Sequence, residues 1–347
     1  MRFLDTQILS RVVIVQTAFL GDVLLTLPML RALKKQYPVK FLAAVVTPEA
    51  AEALSAESCV DELLLYNKRN AEKKNDAFEN ICREIRRRDF SCSLLPHRSF
   101  RSAYMAYRAG VKTRVGFHNS PGAWLYTDRI VYHYAMPEAQ RDISLLSVFS
   151  ANTGMESALF SHTEMKPVKN EEVHIVIAPG SQWKTKMWMT ERYGELVAFC
   201  AEQGWHIDIC GSKKDAEICG EIFSRAASPL VENHCGKTGV PEFSALVRRA
   251  TAVVCNDSAP IHIANEVGTP VVAIFGPTVP EFGFAPRGTY DQVMQAEGLL
   301  CRPCTIHGGA RCPLGTHACM REISSEMVID ALHHVVNLQL ANADRFS

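Results

Sequence analysis

Two lysines and several hydroxyl and amide side chains fall within one short stretch of this chain, residues 178–188. The stretch holds Ser181, Gln182, Lys184 and Lys186, and it follows an apolar run typical of a buried strand. In open α/β sheets, ligands bind beyond the carboxyl ends of the strands. Ammonium and hydroxyl groups in such a loop can hold a diphosphate. A solvated basic loop without a ligand is the alternative interpretation.

A second loop of this kind, residues 255–262, lies between a predicted strand and a predicted helix. Its candidate binding residues are Asp257, Ser258, Ala259 and His262. Backbone N–H groups at a helix N-terminus bind anions, although Ser258 or Asp257 could instead cap the helix. A lone histidine such as His262 is more often structural. The next apolar run ends at Gly276 and Thr278, which we expect at the same edge of the sheet.

The loop after the first predicted strand carries a carboxylate. Gly21 permits a tight turn there, and Asp22 comes at the start of a predicted helix. A carboxylate in that place can act as a general base, but the spacing fits a helix N-cap equally well. The chain contains neither a G-x-G-x-x-G sequence nor a complete P-loop, so neither of these nucleotide sites is predicted.

Four of the twelve cysteines lie within 19 residues, at Cys301, Cys304, Cys312 and Cys319. Four thiolates can hold one zinc or iron ion, and such a site is structural because it leaves no open coordination position. The first pair has the spacing of a metal knuckle, and the second pair does not. Free thiols and disulfides are the alternatives, and disulfides are disfavoured in the cytosol. A nucleic-acid-binding module built on this cluster is disfavoured by the zero net charge.

The elements that must position these loops alternate between short apolar runs and longer amphipathic segments. Strands are predicted at 12–15, 41–46, 60–65, 92–95, 173–178, 205–210, 252–255, 270–275 and 293–296. Helices are predicted at 22–36, 48–54, 76–88, 100–109, 191–203, 240–249, 259–267 and 324–341. This alternation indicates an α/β protein with parallel, doubly wound sheets. A polar segment at 161–172 separates two such series, which predicts domains at 1–165 and 166–323, followed by a helical segment at 324–347.

Composition is that of a globular protein. The 347 residues are 47% apolar and 21% charged, which is enough for two domains with separate cores. Residues 1–165 hold 21 Lys and Arg against 17 Asp and Glu, so the basic first half suits an anionic partner. No run of 18 apolar residues occurs, and we expect no membrane span. The apolar run 12–20 lacks a cleavage site, which predicts a mature cytoplasmic protein.

Together these stretches resemble the ADP-heptose:lipopolysaccharide heptosyltransferases, glycosyltransferase family 9. The resemblance covers nearly the whole chain. It is carried by residues 20–28 (LGDVLLTLP), 179–181 (PGS), 186–188 (KMW), 256–264 (NDSAPIHIA) and 275–278 (FGPT). The tail from Cys301 to Gly315 is most similar to the type II enzymes, which add the second heptose.

The resemblance implies a GT-B fold, in which two Rossmann-like domains face each other across a cleft with parallel sheets. It implies inverting transfer that requires no metal or other cofactor, with Asp22 as the general base. Donor contacts are implied or expected for Ser181, Gln182, Lys186, Asp257, Ser258, Ala259, His262, Gly276 and Thr278. The C-terminal helix is expected to pack back toward the N-terminal, acceptor-binding domain.

The implied partners are an ADP-heptose donor and an anionic Kdo/heptose-lipid A precursor at the inner-membrane surface. Acceptor contacts are expected from Arg98, Arg101, Lys112 and Arg114, for which a solvated helix face is the alternative. The enzyme would be cytoplasmic, peripheral at the inner face of the inner membrane. Some heptosyltransferases that modify secreted proteins carry a four-cysteine iron site, with a different spacing. The rival functions are a GT-B transferase of UDP or GDP sugars and a non-catalytic sugar-nucleotide-binding protein.

Overall fold

A computed structural model describes residues 3–55, 57–67, 74–149 and 172–346. The chain divides into two compact units, Met1–Ser161 and His162–Ser347. The predicted domain boundary at 165 and all of the predicted linker except Glu172 lie outside the described residues. No helix in the described part of the chain is both long and apolar enough to cross a bilayer.

The first unit is built on a six-stranded parallel sheet. Its strands are β1 (Arg11–Val15), β2 (Phe41–Val46), β3 (Glu62–Leu65), β4 (Cys92–Leu95), β5 (Thr113–Phe117) and β6 (Asp128–Ile130). They lie in the order β3-β2-β1-β4-β5-β6. Its helices are α1 (Leu20–Gln36), α2 (Pro48–Leu54), α3 (Lys74–Arg87), α4 (Phe100–Arg108) and α5 (Glu138–Ser144). β1 pairs with β2 on one side and β4 on the other, and its four valine and isoleucine residues are buried.

The second unit repeats this plan. Its strands are β7 (His174–Ala178), β8 (His206–Ile209), β9 (Val231–Asn233), β10 (Ala252–Asn256), β11 (Val271–Phe275) and β12 (Gln292–Gln295). Their order is β12-β11-β10-β7-β8-β9, again all parallel. Its helices are α6 (Thr190–Glu202), α7 (Ala216–Ala226), α8 (Val240–Arg249), α9 (Ala259–Val267), α10 (Ala318–Arg321) and α11 (Ser325–Phe346). In each sheet the strand order reverses beside the first strand, which is where such folds bind ligands.

The last helix belongs to the core of the second unit. Val328, Leu332 and Val335 of α11 are fully buried there. The Trp188 indole donates a hydrogen bond to the carbonyl of Ile323, just before this helix (2.9 Å). The expected packing of α11 toward the first unit stays a prediction.

The alternation of strands and helices confirms the predicted α/β class with parallel sheets. Five predicted elements, β2, α2, β4, α8 and α9, have the same bounds in the structure, and most others differ by one or two residues. The sequence analysis missed β5, β6, β9, α5, α7 and the four-residue helix α10. Two of the missed strands are only three residues long, and each contains charged or polar side chains that hide the apolar pattern.

Candidate functional site

A buried amide at the end of β10 joins two loops of the second unit. Asn256 accepts hydrogen bonds at Oδ1 from the Trp188 backbone N–H (3.0 Å) and the Tyr193 hydroxyl (3.1 Å). Its Nδ2 donates to the carbonyl of Pro179 (2.7 Å). These contacts hold the loop after β7 against the loop after β10. Sequence reasoning assigned Asn256 no role, although it stands in the stretch that carries the family resemblance.

Three predicted donor residues meet on one carboxylate. Lys186 Nζ lies 2.6 Å from Asp257 Oδ2, and the Thr278 hydroxyl donates to the same oxygen (2.6 Å). The Lys186 and Asp257 side chains are only 12% and 7% exposed. The three residues follow β7, β10 and β11, which are neighbours in the sheet. Strand order therefore brings together residues that are far apart in the sequence.

The N-terminus of α9 opens beside this carboxylate. Ser258 occupies the N-cap position, but its side chain does not cap the helix. Its hydroxyl instead contacts the carbonyls of Asn256 (3.2 Å) and Gly180 (3.5 Å). The alternative in which the Ser258 side chain caps the helix is therefore wrong. Ala259, the first residue of α9, is half-buried, and backbone N–H groups of such a first turn favour an anion.

His262 lies one turn into α9 and is buried. Burial lowers the pKa of its imidazole to about 4, against the opposing effect of the Asp257 carboxylate. The ring is therefore neutral near neutral pH and can offer a hydrogen bond rather than a positive charge.

The other predicted donor residues have more varied surroundings. The Ser181 hydroxyl accepts a hydrogen bond from the Trp183 backbone N–H (3.4 Å), while the Gln182 side chain is exposed. Gly276 is buried, and a Cβ there would lie 2.6 Å from Met320 Cε. Close packing at the end of β11 thus requires glycine at position 276.

The cysteine-containing loop reaches the end of β11 through Arg302. The Arg302 guanidinium donates to the carbonyls of Gly276 (2.6 Å) and Thr278 (2.8 Å). The backbone N–H of Cys304 donates to the carbonyl of Pro277 (3.0 Å). Sequence reasoning missed Arg302, because nothing local distinguishes it from a surface arginine.

The same loop also holds the lysine loop. The Thr185 N–H donates to the Gly309 carbonyl (3.1 Å), and the Gly309 N–H donates to the Thr185 hydroxyl (2.8 Å). His317 Nε2 lies 2.8 Å from the Thr185 carbonyl. The contacts of residues 301–319 thus brace two predicted donor loops inside the second unit.

The four thiols lie near one another without reaching the spacing of metal ligands. Cys304, Cys312 and Cys319 line a cavity of about 40 Å³ together with His317. Burial raises the pKa of Cys319 to about 11, whereas backbone N–H groups, His317 first, lower the pKa of Cys312. Among the described residues, one group of three side chains has its potential ligand atoms within 4.8 Å, and it is Asp208, Glu232 and His234.

In the first unit, Asp22 is the third residue of α1 and is half-buried. Its Oδ2 accepts a hydrogen bond from the backbone N–H of Phe19 (3.1 Å), so the carboxylate also stabilises the start of the helix. The N-cap residue is Phe19, so the alternative in which Asp22 is the N-cap is wrong. From the third helical position the Asp22 carboxylate bonds back to the N-cap backbone, and this contact holds it in place.

A buried polar network supports the first turns of α1. The Thr26 hydroxyl lies 2.9 Å from both the Asp22 carbonyl and Asp142 Oδ2. Gln16 Nε2 donates to the same hydroxyl (3.0 Å). Burial holds the pKa of Asp142 well above its ordinary value. Sequence reasoning missed Asp142, which lies on the unpredicted helix α5.

Of the four predicted acceptor residues, Arg98, Arg101 and Lys112 differ from Arg114, whose side chain bonds to the main chain. The Arg98 guanidinium lies 3.9 Å from the Tyr132 ring centroid, and Arg101 donates to the Tyr66 hydroxyl (3.0 Å). Lys112 is exposed. Arg114 instead donates to main-chain carbonyls, including that of Leu125 (2.7 Å), and burial lowers its pKa. These contacts favour a structural role for Arg114, and its expected acceptor role stays a prediction.

Known proteins share both the fold and the sequence pattern. The structure of Escherichia coli ADP-heptose lps heptosyltransferase II superposes with a TM-score of 0.75 at 20% identity, covering 95% of this chain and 99% of that one. Lipopolysaccharide heptosyltransferase 2 of Salmonella typhimurium is 22% identical over 94% of this chain and 99% of its own length. Lipooligosaccharide heptosyltransferase 2 of Haemophilus influenzae is 30% identical over 168 residues, about half of each chain (47%).

These likenesses define the fold as the α/β GT-B fold. The family model of glycosyltransferase family 9 (heptosyltransferase) matches residues 79–307. Because this match spans well over half of the sequence, the chain belongs to glycosyltransferase family 9 and is a glycosyltransferase.

Proposed function

We propose that this chain transfers heptose, with inversion, from ADP-heptose to the inner core of a lipopolysaccharide precursor. The observation that carries the proposal is the contact of Lys186, Asp257 and Thr278 at the ends of three neighbouring strands, beside the N-terminus of α9. Such a combination suits the diphosphate of a nucleotide sugar. The relatives named for heptose transfer support the choice of sugar.

The donor diphosphate would be held without a metal ion. A lysine ammonium has three N–H donors, and Asp257 takes one of those on Lys186. The others, together with the N-terminal amides of α9, can bind phosphate oxygens. As ADP leaves, negative charge grows on its terminal phosphate, and fixed donors of this kind stabilise that charge.

The acceptor hydroxyl attacks the anomeric carbon of the donor sugar in one displacement. Asp22 takes the hydroxyl proton, while the bond between the anomeric carbon and the phosphate oxygen breaks with its electron pair leaving on ADP. Attack from the side opposite the leaving group inverts the configuration. A positioned base of this type contributes on the order of 10²–10⁴-fold to the rate.

The acceptor in this proposal is anionic and lipid-anchored. Arg98 and Arg101 are its preferred contacts, because the loop that carries Arg98 and leads into α4, where Arg101 lies, is beside the loop that precedes Asp22. His97 Nδ1 and the Thr17 hydroxyl are 3.2 Å apart and join these two loops. The enzyme would therefore work in the cytoplasm, at the inner face of the inner membrane.

The test is Asp22→Asn, assayed with ADP-heptose and a lipopolysaccharide precursor. Asparagine can still accept the Phe19 N–H bond through its amide oxygen, but it cannot take a proton. We expect turnover to fall at least about 100-fold while donor affinity changes less than about twofold. Asp5→Asn is the matched control, since Asp5 also accepts a backbone N–H at a helix start. Near-normal turnover in Asp22→Asn would leave Asp22 as a capping residue only.

The rival donors are UDP and GDP sugars. Thermal stabilisation measured in parallel with ADP, UDP and GDP sugars separates them, because only the cognate nucleotide raises the melting temperature strongly at equal concentration. Stabilisation by an ADP sugar without any transfer would favour the non-catalytic sugar-nucleotide-binding alternative.

A further inference from the structure

Five aromatic side chains of the first unit form one continuous surface feature, the aromatic strip: Phe78, Phe100, Tyr104, Tyr107 and Trp124. The rings of Phe78 and Phe100 both stack with Tyr104, and their centroids lie 5.6 and 5.9 Å from its centroid. Tyr107 lies 6.5 Å from Tyr104, and Trp124 lies 6.3 Å from Phe100. Each ring therefore has an aromatic neighbour.

Four of the five rings are exposed, while Phe78 is half-buried and packs against the core. The exposed fractions are 47% for Phe100, 36% for Tyr104, 52% for Tyr107 and 68% for Trp124. The three residues of α4 are spaced four and three apart and share one helix face. The small residues Ala103 and Ala106 of the same helix are buried instead. An exposed run of large rings at helical spacing marks an interaction surface rather than a core.

Close backbone packing places Trp124 at the end of the strip. Gly122 precedes the 3-10 turn Ala123–Leu125, and a Cβ on it would lie 2.5 Å from the Cβ of Ala103 in α4. Glycine thus lets the turn approach the helix, so that the exposed indole comes beside Phe100.

Arginine side chains border the aromatic strip. Arg101 is exposed next to Phe100, and the Arg114 guanidinium lies 5.6 Å from the Tyr107 ring centroid. Arg129 is exposed and donates to the Ala123 carbonyl beside Trp124 (2.9 Å). Arg108, 43% exposed, adds a fourth positive group, with Glu79 as its acidic partner at 3.2 Å.

We propose that the aromatic strip seats the first unit on the surface of an anionic lipid bilayer. Tyrosine and tryptophan rings prefer the bilayer interface, where one edge is apolar and the other is hydrated. Anionic headgroups attract basic side chains close to that surface. The exposed rings match the apolar part of such an interface, and the bordering arginines match its anionic headgroups. The proposal rests on the proposed function in one respect, since it would bring the enzyme to a lipid-anchored acceptor.

The experiment is co-sedimentation of the full chain with vesicles of phosphatidylcholine alone and of phosphatidylcholine mixed with phosphatidylglycerol. We expect binding to the mixed vesicles that weakens as salt is raised. Tyr104→Ala/Trp124→Ala should weaken this binding about tenfold or more. The single variant Trp124→Ala should show a smaller loss, and it guards against misfolding of the double variant. The matched control is Phe223→Ala/Leu300→Ala, which removes two exposed apolar side chains from the second unit.

Three outcomes would overturn the proposal. The first is that the wild type binds neither kind of vesicle. The second is that Tyr104→Ala/Trp124→Ala binds vesicles as well as the wild type does. The third is that the wild type is a dimer and the double variant a monomer, with no change in vesicle binding. ADP binding is measured separately, in solution without vesicles. Loss of ADP binding in the wild type would count against the proposed function, while the vesicle result would still report on the aromatic strip.

Discussion

The ammonium group of Lys186 lies in a setting that distinguishes it from its neighbour Lys184. Lys186 is mostly buried and paired with Asp257, whereas Lys184 is exposed two residues earlier in the same 3-10 turn. A fixed ammonium group loses little conformational freedom when it binds phosphate, but an exposed lysine must be ordered first. Diphosphate binding should therefore depend on Lys186 far more than on Lys184.

Lys186→Ala should weaken ADP binding by about 10- to 100-fold and slow transfer, because a charge-assisted hydrogen bond is lost. Adenosine, which has no phosphate, should bind the variant about as well as it binds wild type. Titration calorimetry with both ligands gives the comparison, and Lys184→Ala serves as the control. Greater sensitivity at Lys184 would show that the roles of the two lysines are reversed.

We expect the buried His262 to make the stability of the second unit depend on pH. Its folded-state pKa of about 4 lies below the unfolded value of about 6.5, so the folded state favours the neutral ring. The resulting stabilisation is complete above the unfolded pKa and is lost as pH falls from about 6.5 toward 4. Between about pH 7 and pH 5 the loss is on the order of 2 kcal/mol.

His262→Gln should remove this part of the pH dependence, because glutamine does not titrate. Urea unfolding at the two pH values measures the difference, and the exposed His334→Gln is the control. If His262→Gln lost as much stability on acidification as wild type does, the neutral buried imidazole would not be its source.

At the scale of elements, the loop of residues 301–319 braces the predicted donor site. It contacts the turn that carries Lys186 through Thr185 and Gly309, and it contacts the end of β11 through Arg302. Gly308 of this loop lies against the Lys186 side chain. Its φ is +88°, and a Cβ there would lie 3.1 Å from Lys186 Cγ. Position 308 therefore requires glycine both for its backbone conformation and for the nearby lysine.

Gly308→Ala should cost about 1–2 kcal/mol of stability through backbone strain and should also weaken ADP binding by displacing Lys186. Gly315→Ala is the matched control. Gly315 lies in the same loop at φ +70°, but a Cβ there would meet nothing within 4 Å. We expect similar melting temperatures for the two variants and reduced ADP affinity for Gly308→Ala alone. Equal ADP affinity in both would mean that the loop does not position Lys186.

The cysteines of this brace are predicted to hold one structural zinc or iron ion through Cys301, Cys304, Cys312 and Cys319. Binding would require the thiols to draw closer together around their small cavity. Anaerobic purification without a histidine tag, followed by metal analysis, should give about one ion per chain. That ion should be lost in Cys301→Ser/Cys304→Ser and kept in Cys59→Ser, and transfer should persist in EDTA without added divalent cation. A metal-free protein with twelve titratable thiols after unfolding would leave the cluster as free cysteines.

At the scale of the whole molecule, the two units share one sheet topology but differ in net charge and in the predicted site residues that they carry. Each has six parallel strands with the first strand of its series inside the sheet. The basic excess falls in the first half of the sequence, which carries the arginine-bordered aromatic strip. The predicted donor residues all lie in the second unit, and the predicted acceptor residues all lie in the first. This division fits the proposed transfer from a nucleotide sugar to an anionic acceptor.

The sequence by itself determined the alternation of strands and helices, and with it the loops that carry chemistry. Apolar runs with strand character and amphipathic helical periods are local properties, so they can be recognised without tertiary structure. The positions after β1, β7, β10 and β11 already singled out Asp22, Lys186, Asp257 and Thr278. The family resemblance then added their expected roles.

Only the tertiary structure decided which of these residues meet. Lys186 and Asp257 are 71 residues apart, and Thr26 and Asp142 are 116 apart. Each contact depends on the order of strands in a sheet or on the packing of one helix against another. The bracing by Arg302 and the outward turn of the aromatic strip depend on tertiary structure in the same way. Local periodicity records which side chains are buried, but not their partners, because a partner is chosen by the packing of the whole unit.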